Sequence, residues 1–157
     1  MFPQGLAQAV DEELHKRFPE VARDAYERYE SDPLDARGWR SLQQRVLQTL
    51  DVAPQLTTVD AYQAVYIPAA FQNVEHVPIA SAADPLQVGS LQQLIEELRR
   101  FATAASLPID DVELMQLNAH YLEQDDPDAD LDVQTYIQLM LSAKQAAARQ
   151  QPLWIVT

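Results

Sequence analysis

Apolar residues recur at steps of three and four along most of the chain, the spacing that places them on one face of a helix. The first such stretch covers residues 6–29, and Pro19 divides it because the residue before a proline is pushed out of helical conformation. The second covers residues 35–50. The pattern therefore predicts two or three helices in the first third of the chain.

Two later helices begin at residues whose side chains can cap a helix. Ser90 and Asp110 each precede a Gln or Glu by three residues, an arrangement in which two side chains satisfy free N–H groups of the first turn. Apolar residues at helical spacing follow both caps. A last helix is predicted over residues 133–150, with Asp132 as its cap.

Short stretches with a different period indicate strands. Apolar and polar side chains alternate over residues 61–68 and 74–79, and residues 153–156 form a final apolar run. We expect the middle two strands to be antiparallel and the last strand to join them, with residues 81–88 as a loop. The order of elements predicts an α+β fold, predominantly helical, in which five to six helices pack with a small sheet of two to three short strands.

The length of 157 residues is usual for a single domain, residues 1–157. An N-terminal helical subregion over residues 1–50 and a C-terminal core over residues 51–157 are the alternative division. The chain has no cysteine, no apolar run near the roughly 20 residues that a membrane span needs, and no secretory signal. The absence of a membrane span and of a secretory signal predicts a cytoplasmic protein. The acidic charge of the chain predicts that the protein does not bind anionic membranes.

Acidic residues dominate the charge, and they are unevenly placed. The chain has 24 Asp and Glu against 11 Lys and Arg, which gives a net charge of −13. Most of the excess follows residue 50, and residues 101–143 contain no Lys or Arg. Such a surface repels phosphate backbones, so we expect no nucleic acid among the partners and a basic protein instead.

The densest acidic stretch is residues 123–132, which lie between two predicted helices and which we call the acidic segment. Its alternating Asp residues reproduce the spacing that begins a calcium-binding loop, but Leu131 stands where that loop needs Gly and Ile137 where it needs Glu. We therefore predict a partner-binding surface and no metal site. Its residues are Glu123, Asp125, Asp126, Asp128, Asp130 and Asp132.

His120 is the other candidate for chemistry. On a helix it shares a face with Glu113 and Glu123, and an imidazole beside carboxylates can bind a metal or transfer protons. A solvated helix surface explains the same pattern. The chain has three glycines, which disfavours phosphate-binding loops, and it has no nucleophile motif. The sequence thus indicates no catalytic residue and no cofactor, and it favours a protein that is not an enzyme.

These observations leave several functions open. The leading hypothesis is an acidic cytosolic interaction protein that binds a basic protein partner in an immunity, antitoxin, inhibitor or adaptor role. The alternatives are a metal-dependent enzyme that uses the His120 cluster and a divalent-ion-binding regulatory domain that uses the acidic segment. A homodimer is a further alternative, through edge strands and a face that carries Tyr62 and Tyr66.

Overall fold

The computed structural model describes residues 16, 29–30, 34–60, 64–78 and 84–155. Within these residues there are five helices and five strands, which confirm the predicted α+β, predominantly helical fold. None of the described helices is both long enough and apolar enough to cross a membrane. The helices are α1 (Ala36–Thr49), α2 (Pro54–Thr57), α3 (Leu91–Ala105), α4 (Asp111–Leu122) and α5 (Leu131–Ala148), and the strands are β1 (Tyr29–Glu30), β2 (Ala64–Ile67), β3 (Glu75–Val77), β4 (Leu86–Ser90) and β5 (Leu153–Trp154).

The strands form one mixed sheet in the order β1-β5-β2-β4-β3. β2 lies at the centre, parallel to β4 with Ala64 opposite Gln87, and antiparallel to β5 with Val65 opposite Trp154. β3 is antiparallel to β4, and β1 is parallel to β5. The last strand joins the middle of the sheet as predicted. The middle two predicted strands, β2 and β3, run antiparallel as predicted, but they do not pair directly because β4 lies between them.

Two strands differ from the prediction. β4 occupies part of the predicted loop over residues 81–88, and its buried residues Leu86 and Val88 alternate over too few positions to stand out in the sequence. β1 places Tyr29 in a strand, where the first predicted helix was expected to end. Lys16 is helical as predicted, and the rest of that helix lies outside the described residues.

The core lies between the helices and the sheet. Many of the side chains that the helical spacing predicts to be buried are buried, among them Trp39 and Val46 of α1, Phe101 of α3 and Tyr136 of α5. The rings of Phe101 and Tyr136 meet edge to face with their centroids 5.8 Å apart, a favourable aromatic geometry. The same core receives alternate residues of β2, so helices and sheet share one apolar interior.

The structure shows where the strand face that carries Tyr66 lies. Its side chain is fully buried, and its hydroxyl donates a hydrogen bond of 2.7 Å to the carbonyl oxygen of Gln55. The predicted dimer face that includes Tyr66 is therefore wrong, because this side chain belongs to the core. Tyr62, the other residue of that face, lies outside the described residues.

Gly38 lets α1 lie close against α5. Asp35 caps α1, its carboxylate accepting hydrogen bonds from the backbone N of Arg37 (2.8 Å) and of Gly38 (3.3 Å). A Cβ atom on Gly38 would overlap the hydroxyl of Thr135 and would lie 3.1 Å from the carbonyl oxygen of Leu131. This close crossing brings basic residues of α1 next to the acidic segment.

Candidate functional site

Carboxylates border α4 at both ends. Asp110 caps the helix as predicted, its Oδ1 accepting hydrogen bonds from the backbone N of Val112 (3.0 Å) and of Glu113 (3.3 Å). Asp111 and Glu113 stand in the first turn, where negative charge is favourable to the helix dipole. The acidic segment follows the other end of α4 and runs into the first turn of α5. Carboxylates therefore lie at both ends of α4, and we call these two groups together the acidic face.

Five of the six predicted partner-binding residues are exposed, and Asp132 is half-buried. Asp126 Oδ1 accepts a hydrogen bond of 2.9 Å from the backbone N of Asp128. The side chains of Glu123 and Asp125 form no ion pair within the part of the chain that the structure describes. The carboxylates of Glu123, Asp125 and Asp126 are therefore accessible to a partner.

Two arginines of α1 hold the acidic segment in place. Arg37 Nη2 lies 2.9 Å from Asp128 Oδ1 and 2.9 Å from Asp35 Oδ2, and hydrogen bonds from Arg37 lower the pKa of Asp35 to about 2. Arg45 Nη1 lies 2.8 Å from Asp132 Oδ2. The Arg37–Asp128 pair is exposed and the Arg45–Asp132 pair is half-buried, and screening by solvent leaves such ion pairs only a small contribution to stability. These pairs consequently matter more for the shape of the segment than for the stability of the fold.

The structure and the prediction differ in where α5 begins, and Asp130 lies at this boundary. The helix starts at Leu131, earlier than predicted, so Asp132 lies in its first turn and the prediction that Asp132 caps it is wrong. Asp130 precedes the helix with a φ of 47°, in the left-handed region that Asp tolerates better than most residues. Its Oδ2 accepts a hydrogen bond of 2.9 Å from the Tyr121 hydroxyl, which ties the segment to α4. Burial, together with this bond, raises the pKa of Tyr121 to about 12.

The alternating carboxylates of the acidic segment do not converge on one point. Asp126 accepts from a backbone N–H, Asp128 pairs with Arg37, and Asp130 accepts from Tyr121. Among the described residues, no group of three or more His, Asp or Glu side chains could hold a metal ion. The divalent-ion alternative thus has no geometric support.

His120 lies in an open groove of about 670 Å³ beside α4. Glu113 lines this groove as well, but Glu123 does not, so only part of the predicted cluster is brought together. The Nε2 atom of His120 lies 2.8 Å from Nε2 of Gln124, and its ring meets Tyr121 edge to face at 5.7 Å. With one carboxylate at the groove and no metal-binding group in the described part of the chain, the alternative of a metal-dependent enzyme has no geometric support either.

α4 also exposes an apolar stripe that the sequence analysis missed. Val112, Met115 and Leu122 are 62%, 60% and 78% exposed, and with the exposed Ala119 they follow one another at steps of three and four. Such steps place the four residues, which we call the apolar stripe, on one side of the helix. Leu114 is buried on the other side. The spacing of the apolar stripe is visible in the sequence. It was overlooked because the apolar residues on the side of Leu114 are sufficient to explain how the helix packs on the core.

Glu97 is a buried carboxylate that the sequence analysis also missed. It is 2% exposed, and its two oxygens accept hydrogen bonds of 3.0 Å from the backbone N of Gln55 and of Leu56, at the start of α2. Burial raises the pKa of Glu97 to about 7. The signal was its spacing, three residues after Leu94 and four before Phe101 on the buried face of α3. Glu97 caps α2 from inside the core and so belongs to the fold, not to the acidic face.

Comparison with known protein families identifies a family to which the chain is similar. A family model described as "Putative DNA-mimic protein" matches residues 8–155, nearly the whole chain. No curated protein and no solved structure matches the chain. The match concerns proteins that imitate DNA and bind DNA-binding proteins.

This match corrects two predictions. The predicted immunity, antitoxin, inhibitor or adaptor role is wrong, and so are its two alternatives, because the family is one of DNA mimics. The prediction that nucleic acid has no place among the partners is also wrong, because a DNA mimic occupies a surface that nucleic acid occupies. A basic protein partner is compatible with the family and with the charge of the chain.

Proposed function

The chain belongs to the DNA-mimic family, and from this premise we propose that it binds the DNA-contacting surface of a basic DNA-binding protein and competes with DNA for it. Carboxylates at the two ends of α4 take the place of phosphates. The observation that carries the proposal is the acidic face, in which exposed carboxylates border a helix that has no Lys or Arg. The proposal places the protein in the cytoplasm, together with DNA-binding proteins.

The distance between the two groups of carboxylates supports this role. α4 has 12 residues, and at about 1.5 Å per residue its ends lie about 18 Å apart. Half a turn of B-DNA covers about 17 Å, and the duplex carries roughly one negative charge per 1.7 Å of its axis. A basic surface that follows phosphates over half a turn can therefore meet both groups at once.

We assign the acidic residues of the segment to two tasks. Three of them contact the partner, because they are exposed and have no ion pair within the described residues. These are Glu123, Asp125 and Asp126. The other three shape the segment, because each binds a side chain of α1 or α4. These are Asp128, Asp130 and Asp132.

Capture from a lysate of cells that carry the gene, followed by displacement with double-stranded DNA, tests the proposal. At about 50 mM salt the immobilised protein should retain DNA-binding proteins, because contacts that replace phosphates are strongest at low salt. Duplex DNA should release the retained proteins. An acid variant that neutralises the proposed contacts should retain at least about tenfold less of the captured DNA-binding proteins, since each lost charge weakens binding. The acid variant carries Glu123→Gln, Asp125→Asn and Asp126→Asn.

A matched control separates the acidic face from net charge. The control variant removes the same number of charges from exposed positions outside the face, and it should retain the captured proteins as the wild type does. It carries Asp51→Asn, Glu75→Gln and Glu96→Gln. Retained proteins that duplex DNA does not displace would contradict the proposal. Equal losses in the two variants would show that only net charge matters.

A further inference from the structure

We propose that the apolar stripe of α4 is the centre of the partner-binding surface, and that it selects DNA-binding proteins that present an apolar side chain between basic residues. The inference rests on the proposed function and adds to it a basis for choosing among basic proteins. Carboxylates attract any cationic surface, so they give attraction and a fast encounter more than selectivity. An apolar centre supplies the contact that a merely cationic protein lacks.

Exposed apolar side chains are concentrated on α4. Among the described residues, five large apolar side chains are exposed, and three of them belong to the stripe. The other two are Leu47, on α1, and Val52, in the loop after it. A single exposed leucine is ordinary, whereas a contiguous stripe over about three helical turns marks an interaction surface.

Packing among the residues that the structure describes does not account for the stripe. α4 contacts the core through its opposite side, where Leu114 is buried and Leu117 and Tyr121 are half-buried against it. Polar residues on the outer side would leave these contacts unchanged. The described part of the fold therefore gives the apolar side chains of the stripe no packing role.

The charges around the stripe identify what covers it. Asp111, which pairs with Lys144 of α5 at 2.8 Å, and Glu113 lie at one end. Glu123 and Asp125 lie at the other, and α4 itself carries no basic residue except His120 in its last turn. A second copy of the chain would bring these acidic borders together across a two-fold axis and would add repulsion between two chains of net charge −13. A surface that is apolar at its centre and basic at its rim complements both the stripe and its borders.

DNA-binding proteins have surfaces with this chemistry. Their apolar side chains contact thymine methyl groups in the major groove, and architectural proteins insert apolar wedges between base steps in the minor groove. Basic residues around these side chains contact the phosphates. On this protein the carboxylates correspond to the phosphates, and the stripe between them corresponds to the bases.

Fluorescence anisotropy with two labelled helical peptides tests the inference. Both peptides carry Arg and Lys at their two ends, one has Leu-Phe at its centre, and the other has Ser-Ser there. The wild type should bind the Leu-Phe peptide about tenfold more tightly at about 100 mM salt, because that peptide alone buries apolar surface on the stripe. The acid variant should bind both peptides more weakly and keep the preference.

Substitutions within and outside the stripe complete the experiment. Met115→Gln/Leu122→Gln should abolish the preference for the Leu-Phe peptide, since Gln keeps helix propensity and removes the apolar contact. The single change Met115→Gln should reduce the preference and serves if the double variant does not fold. Leu47→Gln/Val52→Gln, at the exposed apolar positions away from the stripe, should leave the preference unchanged.

The outcomes separate this inference from the proposed function. Equal affinity of the wild type for the two peptides, or no binding of either, would overturn the role of the stripe, while displacement by duplex DNA tests the proposed function independently. Failure of that displacement would overturn both. Light scattering that shows a dimer, dissociated by Met115→Gln/Leu122→Gln, would assign the stripe to a second copy and would also overturn the inference.

Discussion

Glu97 is the one buried carboxylate among the described residues. Burial raises its pKa to about 7, against an ordinary value of 4.5. Because the folded state binds this proton more tightly than the unfolded chain does, the resulting contribution to the free energy of unfolding is complete below about pH 4.5. It is lost as the pH rises through about 7. Between about pH 4.5 and 7 the stability of the protein should thus depend on the protonation of a residue far from the acidic face.

Substitution of Glu97 tests this dependence. Between pH 4.5 and 7.5 the free energy of unfolding of the wild type should fall by up to about 3 kcal/mol more than that of Glu97→Gln. Glu97→Gln should also be less stable at pH 5 by about 1–3 kcal/mol, because its amide group leaves one backbone N–H without an acceptor. Urea titrations across the pH range measure both effects. Glu96→Gln, an exposed neighbour, should follow the wild type, and equal pH slopes for wild type and Glu97→Gln would refute the assignment.

Single residues differ in how far the sequence identifies their roles. The caps at Ser90 and Asp110 were predictable, because a capping side chain needs only the first turn of its own helix. The start of α5 was not predictable. Asp130 precedes this helix in a left-handed conformation, and the neighbouring residues do not indicate such a conformation. The spacing of Glu97 indicated burial, but its hydrogen-bond partners come from a distant part of the chain.

At the scale of elements, Gly38 determines how closely α1 packs against α5. Gly38→Ala should gain about 1 kcal/mol of helix propensity, but the added Cβ overlaps Thr135 and presses on the carbonyl of Leu131. We expect a net loss of stability of about 1–3 kcal/mol, as for overpacking in other interiors. Thermal unfolding followed by circular dichroism measures this loss.

The double variant Gly38→Ala/Thr135→Ala provides the control for this prediction. Removing the Thr135 hydroxyl should restore much of the stability that Gly38→Ala loses, while Thr135→Ala alone should change stability less than Gly38→Ala does. Non-additivity of this kind is expected for residues in direct contact. A Gly38→Ala variant as stable as the wild type would show that the two helices can separate without cost.

The location of a helix along the chain was easier to predict than the elements that it contacts in the fold. The apolar period located α1, α3, α4 and α5, since each carries its own buried stripe. Strand pairing was harder, because the place of β4 between β2 and β3 depends on residues far apart in the chain. The contacts of the acidic segment were hard to predict for the same reason. Its residues follow from the sequence, but its contacts with α1 join residues as far apart in the chain as Arg37 and Asp128.

At the scale of the whole molecule, excess negative charge opposes folding. Every Asp and Glu whose side chain the structure describes, except Glu97, is exposed or half-buried, so the carboxylates repel one another across the surface. Raising NaCl from about 20 to about 500 mM shortens the range of this repulsion from about 20 Å to about 4 Å. We expect the Tm to rise by about 2–5 °C.

The acid and control variants show where this repulsion is concentrated. The acid variant should respond to NaCl less than the control variant does, because Glu123, Asp125 and Asp126 lie close together in one segment. Calorimetry at a series of salt concentrations gives the comparison. A Tm that falls as NaCl is added would mean that ion pairs such as Arg37–Asp128 outweigh the repulsion.

The sequence predicted the sign of the partner's charge but not the class of the partner. Net charge and the uneven placement of carboxylates follow directly from the residues, and they indicate a basic surface. They do not distinguish a toxin from a DNA-binding protein, since both are cationic. The family match made that distinction, and the geometry of α4 then gave the acidic face its dimensions.

The position of β5 between β1 and β2 means that the sheet can be completed only after the far end of the described chain has been synthesised. Tyr29 of β1 pairs with Leu153, and β5 in turn pairs with β2. The N-terminal residues are synthesised first, so β1 leaves the ribosome before its partner strand β5 has been made. Contacts this distant in sequence close slowly, and an unpaired strand edge invites pairing with other chains. Nascent chains that are halted before β5 should therefore aggregate more readily than the finished protein.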